Sequence, residues 1–274
     1  MKKVLVLLLL ATSVLFAEVG FADEGGKISA YLRGSLESPD SVKTKLSSAG
    51  FTVLSESSVN AEGTLTSIVF TDDTLQSMAN KNDRGFIASL RVLVDYVNKQ
   101  ISITNPIYFS KAFLQGEYDE AGAKAVLGKI TSAFSGLSNS KDSLSSSKIK
   151  KYHFMIGMPY YADMDTVANA GSSAELLEKL KAKGSKLIFT QKLSEDRILV
   201  GVALDSNVAS FTKTIGEKNA LVLPYPILLE GGKAKILAPK YYLAICYPML
   251  SMSHFMKISA TPAKIESDCK NMFK

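Results

Sequence analysis

The chain has 274 residues, of which 46% are hydrophobic and 21% charged, with a formal net charge of +6 and two cysteines. That apolar fraction is ordinary for a globular chain with a sizeable core. A sequence pI near 9.1 raises nucleic acid as a partner, but the lysines are scattered and an export leader argues against it, so the reading is a solvated basic surface with no nucleic-acid role. No polybasic run supports attraction to anionic lipid headgroups.

The leader comes first. Lys2 and Lys3 form a positive start, Val4 to Phe16 is apolar, and Gly20-Phe21-Ala22 offers small residues to a signal peptidase. Cleavage is expected after Ala22, with Ala17 the second choice because Leu15 is bulky. The segment holds no Cys for a lipid anchor. Its apolar run is shorter than the ~20 residues a membrane span needs. Residues 1–22 therefore predict a signal peptide, a periplasmic or secreted protein, and no transmembrane segment after cleavage. What remains fits two domains of ~100–150 residues.

Lys27–Arg33 reads as a strand. Ser38-Pro39-Asp40 opens a helix with Val42, Leu46 and Ala49 on one face, and Gly50 stops it. Phe51–Ser57 and Leu65–Phe70 are strand-like. Asp72 or Asp73 caps a helix ending near Asn80. Ile87–Leu114 reads as a hairpin whose second strand carries Pro106 and Tyr108, and Tyr118–Phe134 as a helix. Serine dominates residues 135–147, and the stretch reads as an interdomain linker, drawn over 135–149. Beyond it the order repeats. Tyr152–Tyr160 predicts a strand, Ala162–Gly171 a loop, Ser172-Ser173 a capped helix ended by Gly184, and Lys186–Gln191 and Arg197–Leu204 strands. Asp205-Ser206-Asn207 cap a helix to about Ile215. Ala220–Tyr247 reads as a hairpin around Glu230-Gly231-Gly232-Lys233, with Pro239 and Tyr241 in its second strand. Thr261-Pro262 starts a final helix.

The two stretches align at a constant offset of 133 from Asp72 to Leu114, pairing Asp72 with Asp205, Ser77 with Ser210, Leu90 with Leu223, Ile103 with Ile236, Pro106 with Pro239 and Tyr108 with Tyr241. That predicts a duplicated unit, 23–134 and 150–274. The fold expected is α+β: two tandem two-layer α/β sandwich domains, each with a small mixed sheet in the order β-α-β-β-α-β-β. A cleft between the two units would be the place for a small ligand or a partner protein.

Ala49-Gly50-Phe51 in the first copy, and Leu223-Pro224, Gly232-Lys233 and Pro239 in the second, resemble the bacterial domain of unknown function 302 family. The resemblance would cover both units. It implies a fold and carries no established activity, so no catalytic residue transfers. The family's Cys after Pro is Tyr225 in the second copy, and Arg91-Val92 stands where the first copy would have Pro-Cys.

Chemistry-bearing residues are few. His153 and His254 are the two histidines, and neither sits in a hydrolase or metalloprotease motif. Carboxylate pairs lie at turns and caps. The sequence therefore predicts no enzyme and no required cofactor. His-Phe-Met occurs twice, at His153-Phe154-Met155 and His254-Phe255-Met256, among further methionines. His153, Met155, His254, Met256 and Met252 are soft or borderline donors suited to Cu(I), so copper binding is the alternative function. Met as core filler is the competing reading. Tyr160, Tyr161, Tyr225, Tyr241 and Tyr242 form an aromatic set that fits either a ligand cleft or half-buried strands. Cys246 and Cys269 are a disulfide candidate in an oxidising compartment, or two buried thiols.

Overall fold

The computed structural model describes residues 26–274; the expected leader and both candidate cleavage positions lie outside the described residues. The first half runs β1 (Lys27–Ser29), β2 (Tyr31–Ser35), α1 (Pro39–Ser48), β3 (Thr52–Ser58), β4 (Leu65–Thr71), α2 (Asp73–Ala79), β5 (Leu90–Asp95), β6 (Gln100–Thr104), α3 (Pro106–Leu114) and α4 (Glu120–Ala133). Next come β7 (Ser138–Asn139), β8 (Ser143–Ser145) and α5 (Ser146–Ile149). The second half runs β9 (Asp165–Asn169), α6 (Ser173–Lys181), β10 (Leu187–Ser194), β11 (Arg197–Val202), α7 (Ser206–Ala209), α8 (Phe211–Ile215), β12 (Tyr225–Glu230), β13 (Lys233–Ile236), α9 (Pro239–Cys246), α10 (Met252–Lys257) and α11 (Thr261–Asn271).

The fold is α+β. One sheet has the order β3-β4-β5-β6-β2-β7, the other β10-β11-β12-β13-β9, and β1 pairs with β8 in a small third sheet. Leaving out β7, the two large sheets have the same strand order relative to the chain. Every pairing among the described residues is antiparallel, so the expected mixed sheets are not what forms. The lengths of the connections explain this. At 1.5 Å per residue, the seven residues of α2 are too short to run back along a strand, so the helix turns a corner between antiparallel neighbours β4 and β5. The ten-residue α1 is a true crossover, but it links β2 to β3, which stand at opposite ends of the five-strand array.

Local signals hold where side chains cap backbone. Ser38, Asp72 and Ser172 accept from the N–H three residues on, at the starts of α1, α2 and α6. Gly50 follows α1 at φ +79°. Gly231 and Gly232 form the two-residue hairpin turn with φ of +59° and +70°.

Several expectations fail. The Pro106 and Pro239 segments are helices, α3 and α9, rather than second hairpin strands: Pro lacks an N–H and has a fixed φ, which suits a first helical turn better than a strand interior. Tyr152–Tyr160 is a loop containing Gly157 at φ +80°, and the strand is instead β9, within the stretch expected to be loop. The Ser-rich stretch is not a free linker. Its β7 pairs with β2 and its β8 with β1, and buried Asp142 within it is held by Arg33 and Asn219. Nor is the offset constant. The β5–β6 hairpin closes on Asp95 and Gln100 around four residues, and the β12–β13 hairpin on Glu230 and Lys233 around two. Leu90 thus corresponds to Tyr225 rather than Leu223, while Pro106 and Pro239 stay 133 apart.

The two halves share one hydrophobic core. Each contributes a one-turn or two-turn 3-10 segment just before its central strand, Gly85–Ile87 and Glu217–Val222. The first packs on β11 and β12, the second on β4, β5 and β6. Phe86, Ile87, Leu221 and Val222 are all buried. Two tyrosines repeat the exchange. The Tyr108 hydroxyl on α3 donates to Ile245 O on α9 (2.9 Å), and the Tyr241 hydroxyl on α9 donates to Ala112 O on α3 (3.4 Å). From the first bond to the second, donor and acceptor positions differ by 133 residues each.

Candidate functional site

A cavity of about 580 Å³ opens where the β3–β4 turn of the first half meets the second half. Asn60 builds the turn: its Oδ1 accepts from the backbone N–H of Thr64 and Leu65, both at 3.1 Å, and this holds Ala61 and Glu62 over the opening. The facing wall is α7 and α8, with Ser206, Asn207, Ser210 and Thr212 among its lining side chains. The floor is apolar, from Val202, Leu204 and Leu223. Two ion pairs flank the opening, Glu62 with Lys213 and Lys186 with Asp205. Their hydrogen bonds hold the Glu62 and Asp205 carboxyls below their usual range and raise Lys213. The four charges among the lining residues cancel, and the lining includes neither His nor Cys. The site can therefore take a small molecule by apolar contact below and hydroxyl or amide hydrogen bonds at the side.

The corresponding corner of the other half is closed. There the β10–β11 turn is only Glu195-Asp196, and Arg197 beside it reaches the end of α2, donating to Asn80 Oδ1 (2.7 Å) and Asn82 Oδ1 (2.6 Å). Arg197 also pairs with Glu230, which accepts from Lys235 Nζ at 2.9 Å, and Lys235 pairs with Asp83 at 2.6 Å. Burial alone would raise the Asp83 carboxyl, but Lys235 outweighs it and holds the group low. Burial alone would lower Lys235, but its two carboxylate partners raise it. One corner of the junction is thus closed by a charge network, while at the other the Glu62–Lys213 pair spans the halves beside an open cavity.

None of the candidate metal-ligating, aromatic or disulfide residues singled out in the sequence lines this cavity. The available signal was a length difference: six residues, Val59–Thr64, separate β3 from β4, against two between β10 and β11. Tyr161, Tyr225, Tyr241 and Tyr242 are core residues, and Tyr160 alone of that set is exposed. Cys246 and Cys269 are both buried free thiols on the packed helices α9 and α11, and burial pushes the Cys246 thiol up to about 12.

The two His-Phe-Met segments do meet. The rings of Phe154 and Phe255 lie 5.1 Å apart. His153 stacks on Tyr160 at 4.5 Å with its Nδ1 against Met155 O (2.9 Å), and His254 Nδ1 bonds the Ser251 hydroxyl (2.8 Å). Met155, Met252 and Met256 are exposed rather than core filler. Among the described residues no group of three or more His, Cys, Asp or Glu side chains could hold a metal ion, and no helix is long and apolar enough to cross a membrane.

The fold and site define an α+β protein with two sheets of like topology and an open cavity at their junction. Comparison with family models, with curated proteins and with solved structures returned no match.

Proposed function

We propose that this is an exported, periplasmic or secreted binding protein without enzymatic activity, built from two divergent copies of one α+β unit. In this reading it takes a small, uncharged or zwitterionic molecule in the cavity between the copies. The observation that carries the reading is the cavity itself, whose volume falls in the range of small-molecule sites and whose walls come from both halves. The duplication is supported by the shared strand order and by the reciprocal tyrosine bonds. It accords with the resemblance to the bacterial domain of unknown function 302, which brings no activity with it. The neutral lining and the absence of His and Cys from it favour binding over catalysis.

Native mass spectrometry of the full chain, purified from the compartment it is exported to, tests this. An organic mass adduct is expected on the unaltered protein and is expected to be lost from Ala209→Trp, which puts an indole into the cavity. A bare mass, together with a melting temperature that no small molecule in a broad screen raises, would overturn it. A second reading, copper held by the converging His-Phe-Met segments, is favoured by the Phe154–Phe255 contact. It predicts instead a copper adduct that Met256→Ala removes.

A further inference from the structure

Among the described residues nine large hydrophobic side chains are exposed, and six of them sit in two segments that touch each other. Met155, Ile156 and Tyr160 lie on the loop before β9, and Met249, Met252 and Met256 lie on and before α10. The loop is pinned at both ends. The Tyr152 hydroxyl donates to Ala244 O (3.3 Å), and the buried Tyr161 donates to Asp83 O. Between those anchors the chain is pushed outward, and Ile156 is 94% exposed. An isolated exposed apolar residue is ordinary; six on two touching segments, among them a fully presented isoleucine, mark an interaction surface.

Charge identifies what the surface fits. Residues 143–162 and 232–265, which carry the patch, contain no Asp or Glu. Lys148 and Lys151 precede the loop, and Lys257 ends α10; all three are exposed and make no ion pair among the described residues. Outside these stretches lysines are commonly paired with carboxylates, as at Lys186 and Lys213. An apolar centre of flexible thioethers, one isoleucine and one tyrosine, flanked by unpaired ammonium groups, is complementary to a lipid surface with anionic headgroups. We propose that this face docks the protein peripherally on anionic phospholipid, with Ile156 entering the acyl boundary and Lys148, Lys151 and Lys257 against the headgroups.

The absence of tryptophan from the chain makes a direct test possible. Ile156→Trp places a single indole at the tip, where exposure makes the change harmless to folding. Val97→Trp places one on an exposed turn of the first half as the control. With the full chain and phosphatidylglycerol-containing vesicles, emission from the tip indole should move to shorter wavelength and be quenched by brominated acyl chains, while emission from the control indole stays unchanged. Phosphatidylcholine vesicles should give no shift. Changing Lys148, Lys151 and Lys257 to Gln should weaken vesicle partition about fivefold per lysine. No shift in the Ile156→Trp variant, equal shifts in both variants, or a shift as large on phosphatidylcholine would each overturn the proposal. A shift of the tip indole with an acidic polypeptide but not with vesicles would also overturn it and make the face a protein-binding one.

Discussion

Tyr108 and Tyr241 show how single residues tie the two halves. The last carbonyls of a helix have no donor within the helix and must find one elsewhere. Ile245 lies in the last turn of α9 and Ala112 in the last turn of α3, and each receives the phenol of the other helix. Both rings are buried, and burial raises both phenols well above their ordinary value, so each stays a neutral donor at any working pH. Removing the Tyr108 hydroxyl leaves the buried Ile245 carbonyl unpaired, which costs about 1–3 kcal/mol, whereas Ala112 O also accepts from the Gln115 side-chain amide and keeps that donor without Tyr241. Tyr108→Phe, which breaks the 2.9 Å bond, should therefore lose about 2 kcal/mol in urea denaturation. Tyr241→Phe, at 3.4 Å, should lose about 1 kcal/mol or less. Equal losses would mean that the two bonds contribute alike despite their lengths and despite the second donor at Ala112 O.

Among the elements, the 3-10 segments before β5 and β12 carry the junction, and the sequence hid them. Ile87 and Leu221-Val222 read as the starts of strands because a run of apolar residues looks the same in a buried strand and in a short buried turn. The second hairpin's turn was legible because apolar runs stand either side of Gly231-Gly232, although β12, like β5, is buried at every residue and leaves no period-two mark. The helices after the hairpins were not, since α9 is buried on nearly all its residues and shows no polar stripe. β9 was missed for the opposite reason: Asp165–Asn169 is polar with only Val167 buried, as a sheet-edge strand can be. The cavity was illegible because its walls come from stretches more than 120 residues apart. Gly85 gives the element-scale prediction. A Cβ there would sit 2.3 Å from Leu228 Cδ1, and Leu228 is fully buried in β12 with little room to yield. Gly85→Ala should destabilise the protein by about 1–3 kcal/mol through overpacking. Combined with Leu228→Ala, which alone removes a fully buried side chain, it should lose less than the sum of the two single losses; an additive double loss would mean that the two sites are not in contact.

For the molecule as a whole, the question is whether the two halves are domains in the sense of folding units. Pulling them apart would expose at least Phe86, Ile87, Leu221 and Val222, each buried against the other half's sheet or the core they share. At about 1.5–3 kcal/mol for each large apolar side chain, that exposure costs roughly 6–12 kcal/mol. A typical domain has only about 5–15 kcal/mol of total stability. The loss of the Tyr108 and Tyr241 bonds, of the Arg197 bonds to Asn80 and Asn82, and of the Lys235–Asp83 pair adds to it. A half on its own would therefore stand near or below the threshold of folding, and the chain should unfold as one unit although its topology is written twice. Hydrogen exchange in rising urea reads this directly. Amides in β4 and β5 and those in β11 and β12 should converge on the same opening free energy and the same urea dependence. Two separate plateaus, one for each sheet, would mean that the halves open independently. In that case the junction cavity would be a cleft between mobile domains rather than a pocket fixed by a common core.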